Sequence, residues 1–198
     1  MRLFVAVEVP DATRDALAER AREVRSELPK ARWVRPGAMH LTLAFLGETD
    51  EELLPALDRE LAPTAAAVTS FELRLGRLGA FPPRGKARVL WAGFAGATSP
   101  EPPDELLQLH QGVARAVHQA AGIPPESRPF HPHLTLARLQ PPWGRADVER
   151  FLAAFGEPPA TLFRVTHGVL FRSELHPSGA RYQALRRFSL ADAPGGAA

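Results

Sequence analysis

The tetrapeptide His-Leu-Thr-Leu occurs twice in this chain, at residues 40–43 and 133–136, each time inside an apolar run. Read as a strand, it has a period of two. Leu41 and Leu43 then face a core while His40 and Thr42 face the other way, and Leu134 and Leu136 face inward while His133 and Thr135 face outward. Each copy presents an imidazole and a hydroxyl about 7 Å apart on one strand face. A single pair of this kind constrains little. Two pairs require a fold that repeats a unit and turns the two faces toward one site.

The flanking sequence repeats as well. Residues 2–9 alternate as a strand, and Asp11 is positioned to cap a helix with Leu17, Ala21, Val24 and Leu28 at helical spacing. Pro36 and Gly37 break the chain before the first HLTL strand, 39–46, after which Asp50 is positioned to cap a second helix carrying Leu53, Leu57, Leu61 and Val68. A strand at 71–75 follows, and FPPRG at 81–85 turns the chain. The order then recurs: a strand at 87–94, a helix with Leu106, Leu109, Val113 and Val117, the second HLTL strand, a helix at 145–155 and a strand at 162–171. Phe4 precedes the first histidine as Trp91 precedes the second. A last strand near 181–190 closes the sheet, and 191–198 reads as a frayed tail. The expected fold class is α+β: one bilobal domain over 1–198, from duplicated units of roughly 1–80 and 87–190. Each pseudo-symmetric lobe is an antiparallel sheet with helices outside, and the HLTL faces meet across a central cleft.

Composition narrows what such a cleft does. The apolar content of 45% over 198 residues supports a substantial core. No signal-peptide pattern or run of about 20 apolar residues is present, so the expectation is a soluble, cytoplasmic protein without a membrane partner, and a monomer. Without cysteine there is no thiolate nucleophile, disulfide or thiolate metal site. A formal charge of +2 gives no global polyanion signature, although Lys30 and Lys86 are the only lysines among 24 basic residues, and arginine suits phosphate and base contacts.

Two imidazoles across a groove, each beside a hydroxyl, suit acid–base chemistry on a phosphodiester. With an ordinary pKa near 6.5, one histidine can be neutral while its partner is protonated near neutrality. The neutral ring takes a proton from an attacking water or hydroxyl, the charged ring protonates the departing oxygen, and Thr42 and Thr135 donate to the non-bridging oxygens. No metal is needed, provided the leaving group is good or strained. His131 and His133 form a His-Pro-His pair of the kind a metal site uses, but no acidic residue stands near it. His110, His118, His167 and His176 read as structural or solvent-exposed.

The paired His-x-Thr-x motifs resemble those of the two-histidine phosphoesterase superfamily. More closely, the chain resembles its RNA 2′,3′-cyclic phosphodiesterases, also called 2′-5′ RNA ligases. The likeness runs through RLFVAVEVP, WVRPGAMHLTLAFLG, VLWAGF, RPFHPHLTLAR and LFRSELHPSGARY, with the Ser173, Gly179 and Tyr182 spacing of that family's closing hairpin. It implies opening of a terminal 2′,3′-cyclic phosphate to a 2′-phosphate, with no obligatory cofactor and with reversible 2′-5′ joining as a side activity. It further implies His40 as proton donor, His133 as proton acceptor, and Phe4 with Arg138 sandwiching the terminal nucleobase. Three function classes then stand: a cyclic phosphodiesterase on RNA ends, the same chemistry on a small nucleotide, and a module that holds such ends without turnover.

Overall fold

A computed structural model of the chain describes residues 1–174, 176 and 180–193. Gly179 and most of the expected tail, 194–198, lie outside the described residues. The strands are β1 (Arg2–Glu8), β2 (Arg32–Trp33), β3 (His40–Glu48), β4 (Phe71–Phe81), β5 (Ala87–Ala95), β6 (His133–Trp143), β7 (Phe163–Val165), β8 (His167–Glu174) and β9 (Arg181–Ser189), and the helices are α1 (Asp11–Val24), α2 (Leu54–Ala66), α3 (Asp104–Ala121) and α4 (Arg145–Phe155).

The strands form two antiparallel sheets, ordered β3-β1-β8-β9 and β2-β6-β5-β4-β7. The duplicated order is present, but the sheets do not follow the two halves of the chain. Each repeat keeps its first two strands together and sends its third to the other sheet: β4 joins β5 and β6, while β8 joins β1 and β3. The short connection at 82–86 explains one exchange, since antiparallel strands joined by a tight turn pair with each other. The other occurs inside what the sequence reads as one strand at 162–171. Phe163–Val165 pairs with β4 in the second sheet, Thr166 carries the chain across, and His167 begins the strand that pairs with β9, and then with β1, in the first.

The helices obey the same pseudo-symmetry. α1 packs against α4 and α3 against α2. Their buried sides are the ones the spacing indicates: Leu17, Ala21 and Val24 on α1, Leu57 and Leu61 on α2, Leu106, Leu109, Val113 and Val117 on α3. Burial of these apolar stripes stabilises the helices more than local signals do. Neither expected cap forms a side-chain bond. Pro10 is the N-cap of α1, and Asp11 instead receives the guanidinium of Arg14. Asp50 precedes a 3-10 turn at 51–53 before α2 starts at Leu54. Arg20 ties α1 to the end of α4, donating to the carbonyls of Phe155 at 2.8 Å and Ala154 at 3.1 Å.

Candidate active site

The Leu residues of both motifs are buried in the main core, with Leu41, Leu43, Leu134 and Leu136 at most 3% exposed. The alternate positions, His40 with Thr42 and His133 with Thr135, are half-buried on the opposite faces. The strands that carry them, β3 and β6, approach each other closely enough that a proton on His133 disfavours one on His40.

Both imidazoles are held by the main chain in the same way. His133 donates from Nδ1 to the carbonyl of His131 at 2.7 Å, and His40 bonds the carbonyl of Ala38, again two residues earlier. A carbonyl only accepts, so in each ring the nitrogen facing it carries the proton. For His133 this leaves Nε2 as the free nitrogen, an acceptor while the ring is neutral.

Each ring is also walled by aromatics from neighbouring strands. His40 stacks on Phe4 with centroids 4.6 Å apart and meets Tyr182 edge-on at 5.0 Å, while Phe171 stacks behind Phe4 at 5.2 Å. His133 meets Phe81 edge-on at 5.1 Å and Trp91 at 6.4 Å. The repeat is therefore offset from its reading in the sequence. Trp91 lies opposite Thr135 as Ala6 lies opposite Thr42, so the counterpart of Trp91 is Ala6 and that of Phe4 is Val89.

Burial and neighbouring cations keep both rings neutral in the free protein. Burial pushes His40 down to about 4 against the opposing bond to Ala38, with smaller lowering by His133, Arg138 and Arg14. His133 is also lowered, first by burial and then by His131 and Arg138. The expectation of one charged and one neutral ring at neutrality thus does not describe the free site. Arg138 acts on both rings and does not distinguish them.

Strict alternation along β3 would turn Phe45 into the core. Instead the pairing of β1 with β3 slips between Leu3 and Phe4 and between Val5 and Ala6, a bulge pattern, and Phe45 emerges 67% exposed. The second copy does the same: Ala137 is fully buried and Arg138 is exposed. Phe45 pairs with Phe4 as Arg138 pairs with Val89, which makes Phe45 and Arg138 equivalent. Phe4, by contrast, is 3% exposed and lies under His40. It presents no free face for a base. Sequence periodicity missed Phe45 because a bulge inverts it; the charged Arg138 at a nominally inward position was the available signal.

The sequence profile of the 2′-5′ RNA ligase superfamily matches residues 10–177. The chain belongs to that superfamily. It is 39% identical to the RNA 2′,3′-cyclic phosphodiesterase of Thermus thermophilus, over 96% of this chain and 90% of that one. It is 31% identical to the protein of the same name from Archaeoglobus fulgidus, over 95% and 99%. A crystal structure of a Thermus thermophilus protein superposes with a TM-score of 0.76 at 34% identity, over 97% of this chain and 99% of that one.

This 2′-5′ RNA ligase superfamily member has a cavity of about 220 Å³ beside His40, lined by Glu8, Arg14, Gly37, Met39, His40, Phe171, Tyr182 and Ala184. Glu8 is held by Arg187 and by His167 at 3.2 Å. Burial raises the Tyr182 pKa, which keeps its hydroxyl protonated. Of the remaining histidines, His131 holds His133 through its carbonyl. His110 bonds the carbonyl of Leu43 at 2.9 Å and stacks on Phe130, His118 is exposed at the end of α3, and His176 follows β8. Among the described residues, no three His, Cys, Asp or Glu side chains cluster where they would hold a metal ion. No helix among them is long and apolar enough to cross a membrane.

Proposed function

We propose that the protein hydrolyses the 2′,3′-cyclic phosphate at an RNA end to a 2′-phosphomonoester, without a metal ion. The observation that carries this reading is the pair of imidazoles on approaching strands, each fixed by the carbonyl two residues earlier and each followed by a threonine on the same face. Its relatives named RNA 2′,3′-cyclic phosphodiesterase support the choice of substrate.

In this mechanism His133 Nε2 takes a proton from water as the water oxygen attacks phosphorus. The P–O3′ bond breaks, and His40 gives its proton to O3′. Each role is worth about 10² to 10⁴ in rate. Thr42 and Thr135 donate to the non-bridging oxygens as charge builds there. His40 must be protonated to act, and its depressed pKa makes that form scarce in the free protein. The cyclic phosphate is an anion, and its arrival beside the ring favours the charged imidazolium. Substrate binding thus loads the acid. When a 5′-hydroxyl replaces water, the same steps join two RNAs through a 2′-5′ link, and reversal cleaves it.

The terminal base stacks between Phe45 and Arg138, the exposed pair on the two motif strands, while Phe4 supports His40 from beneath. The decisive experiment incubates an RNA ending in a 2′,3′-cyclic phosphate with the protein in excess EDTA and determines the phosphate position in the product. A 2′-phosphate formed at undiminished rate is the expected result. A 3′-phosphate, or no turnover, contradicts the reading.

A further inference from the structure

Arg14 sits where a cation is disfavoured. It lies in the first turn of α1, where the helix dipole opposes positive charge. Its Nε is buried with no hydrogen-bond partner, a cost that structures rarely leave standing. Among the described residues its ion pair is with Asp11, whose side chain is 84% exposed and so screens it weakly. The other carboxylate of the cavity, Glu8, is occupied by Arg187 and His167. Arg14 therefore brings a positive charge into the cavity beside His40 that is paired only at the exposed Asp11 among the described side chains. A residue that breaks local rules in this way marks a place where a ligand completes the structure.

The ligand must be an anion, and its position separates it from the reacting phosphate. In-line chemistry requires phosphorus to lie between His40 and His133. The Arg14 cavity is lined from β1, α1, the turn at 36–38, β3, β8 and β9, with no residue of the second motif strand. It is lined by Gly37 and Met39, just before β3, and by His40 at its start, whereas Phe45 lies further along the same strand. With the base on Phe45 and the cyclic phosphate between the histidines, the next anion of an RNA chain is the phosphodiester on the 5′ side of the terminal nucleotide. Resting on the function proposed above, we propose that Arg14 binds this phosphodiester and so selects an oligonucleotide end over a mononucleotide 2′,3′-cyclic phosphate. Arg14 also keeps Nη1 donors that none of the contacts described above uses, and a guanidinium suits charged contact with phosphate oxygens.

The test compares kcat/KM for adenosine 2′,3′-cyclic phosphate and for a trinucleotide with the same cyclic end, in the wild type, Arg14→Gln and Arg14→Lys. The preference for the trinucleotide should fall roughly ten- to hundredfold in Arg14→Gln, through KM, as expected for losing a charged hydrogen bond. Arg14→Lys should recover part of it. Rising salt should erode the preference of the wild type more than that of Arg14→Gln. An unchanged preference, or equal losses on both substrates, overturns the inference and assigns Arg14 to folding or to the placement of His40. If the wild type turns over neither substrate, the proposed function itself fails, which is a separate result.

Discussion

Phe45 and Arg138 occupy equivalent positions on the two motif strands, brought to the surface by the same interruption of strand pairing. One position carries an exposed ring and the other an exposed guanidinium, the two groups proposed to hold the terminal base. Phe45→Ala and Arg138→Ala should each weaken binding of a cyclic RNA end by about 1–3 kcal/mol, seen in KM. Phe4→Ala should instead lower the melting temperature, because deleting a buried phenylalanine costs about 3–5 kcal/mol. Normal KM in Phe45→Ala would move the base elsewhere.

Acid should destabilise the fold through His40. Its folded pKa, about 4, lies below its unfolded value, so between the two the unfolded chain binds the proton and the folded one does not. Its contribution is present above about 6.5 and is lost as pH falls toward 4, by at most about 3 kcal/mol. Denaturant midpoints measured from pH 7 to 4 should drop less steeply in His40→Gln. In activity, kcat/KM should be greatest on the acidic side of neutrality, since both free rings are lowered. The kcat optimum should lie higher, because the bound anion holds the proton on His40. Identical profiles for the two parameters would contradict loading by substrate.

Much of this architecture is legible in the sequence because period and burial agree. The HLTL leucines, the α1 and α3 stripes and the repeated element order all follow from apolar spacing that the core then satisfies. The strand exchange is not legible, because Phe163 to Phe171 is one continuous strand-like run and Thr166 carries no breaker signal. Likewise, the bulges that expose Phe45 and bury Ala137 are set by pairing with β1 and β5, partners distant in sequence. Long-range pairing also buries His40 beneath Tyr182, whose strand is the last in the chain, and so sets its low pKa.

Gly79 should be intolerant of any side chain. A Cβ there would lie 2.2 Å from Cζ2 of Trp91, the indole beside His133. Gly79→Ala must push the indole aside, at a cost of about 1–3 kcal/mol. Tryptophan fluorescence should shift and kcat should fall with His133 displaced. Unchanged fluorescence and turnover would show that the wall of His133 is soft.

The direction of proton flow is testable with a substrate whose O3′ is replaced by sulfur, a leaving group that needs little protonation. Its turnover should be far less sensitive to His40→Ala than to His133→Ala. Equal rescue, or rescue of His133→Ala alone, would reverse the roles while keeping the pair.

The most direct test of the paired-histidine account is the single-turnover rate on a cyclic RNA end, in excess EDTA, for the wild type, His40→Ala, His133→Ala and the double variant. Each single change should cost at least about 10², and the double change little more than the worse single, because acid and base serve one step. Folded His40→Ala or His133→Ala at near wild-type rate would contradict the account. So would wild-type activity that vanishes in chelator and returns with one divalent metal.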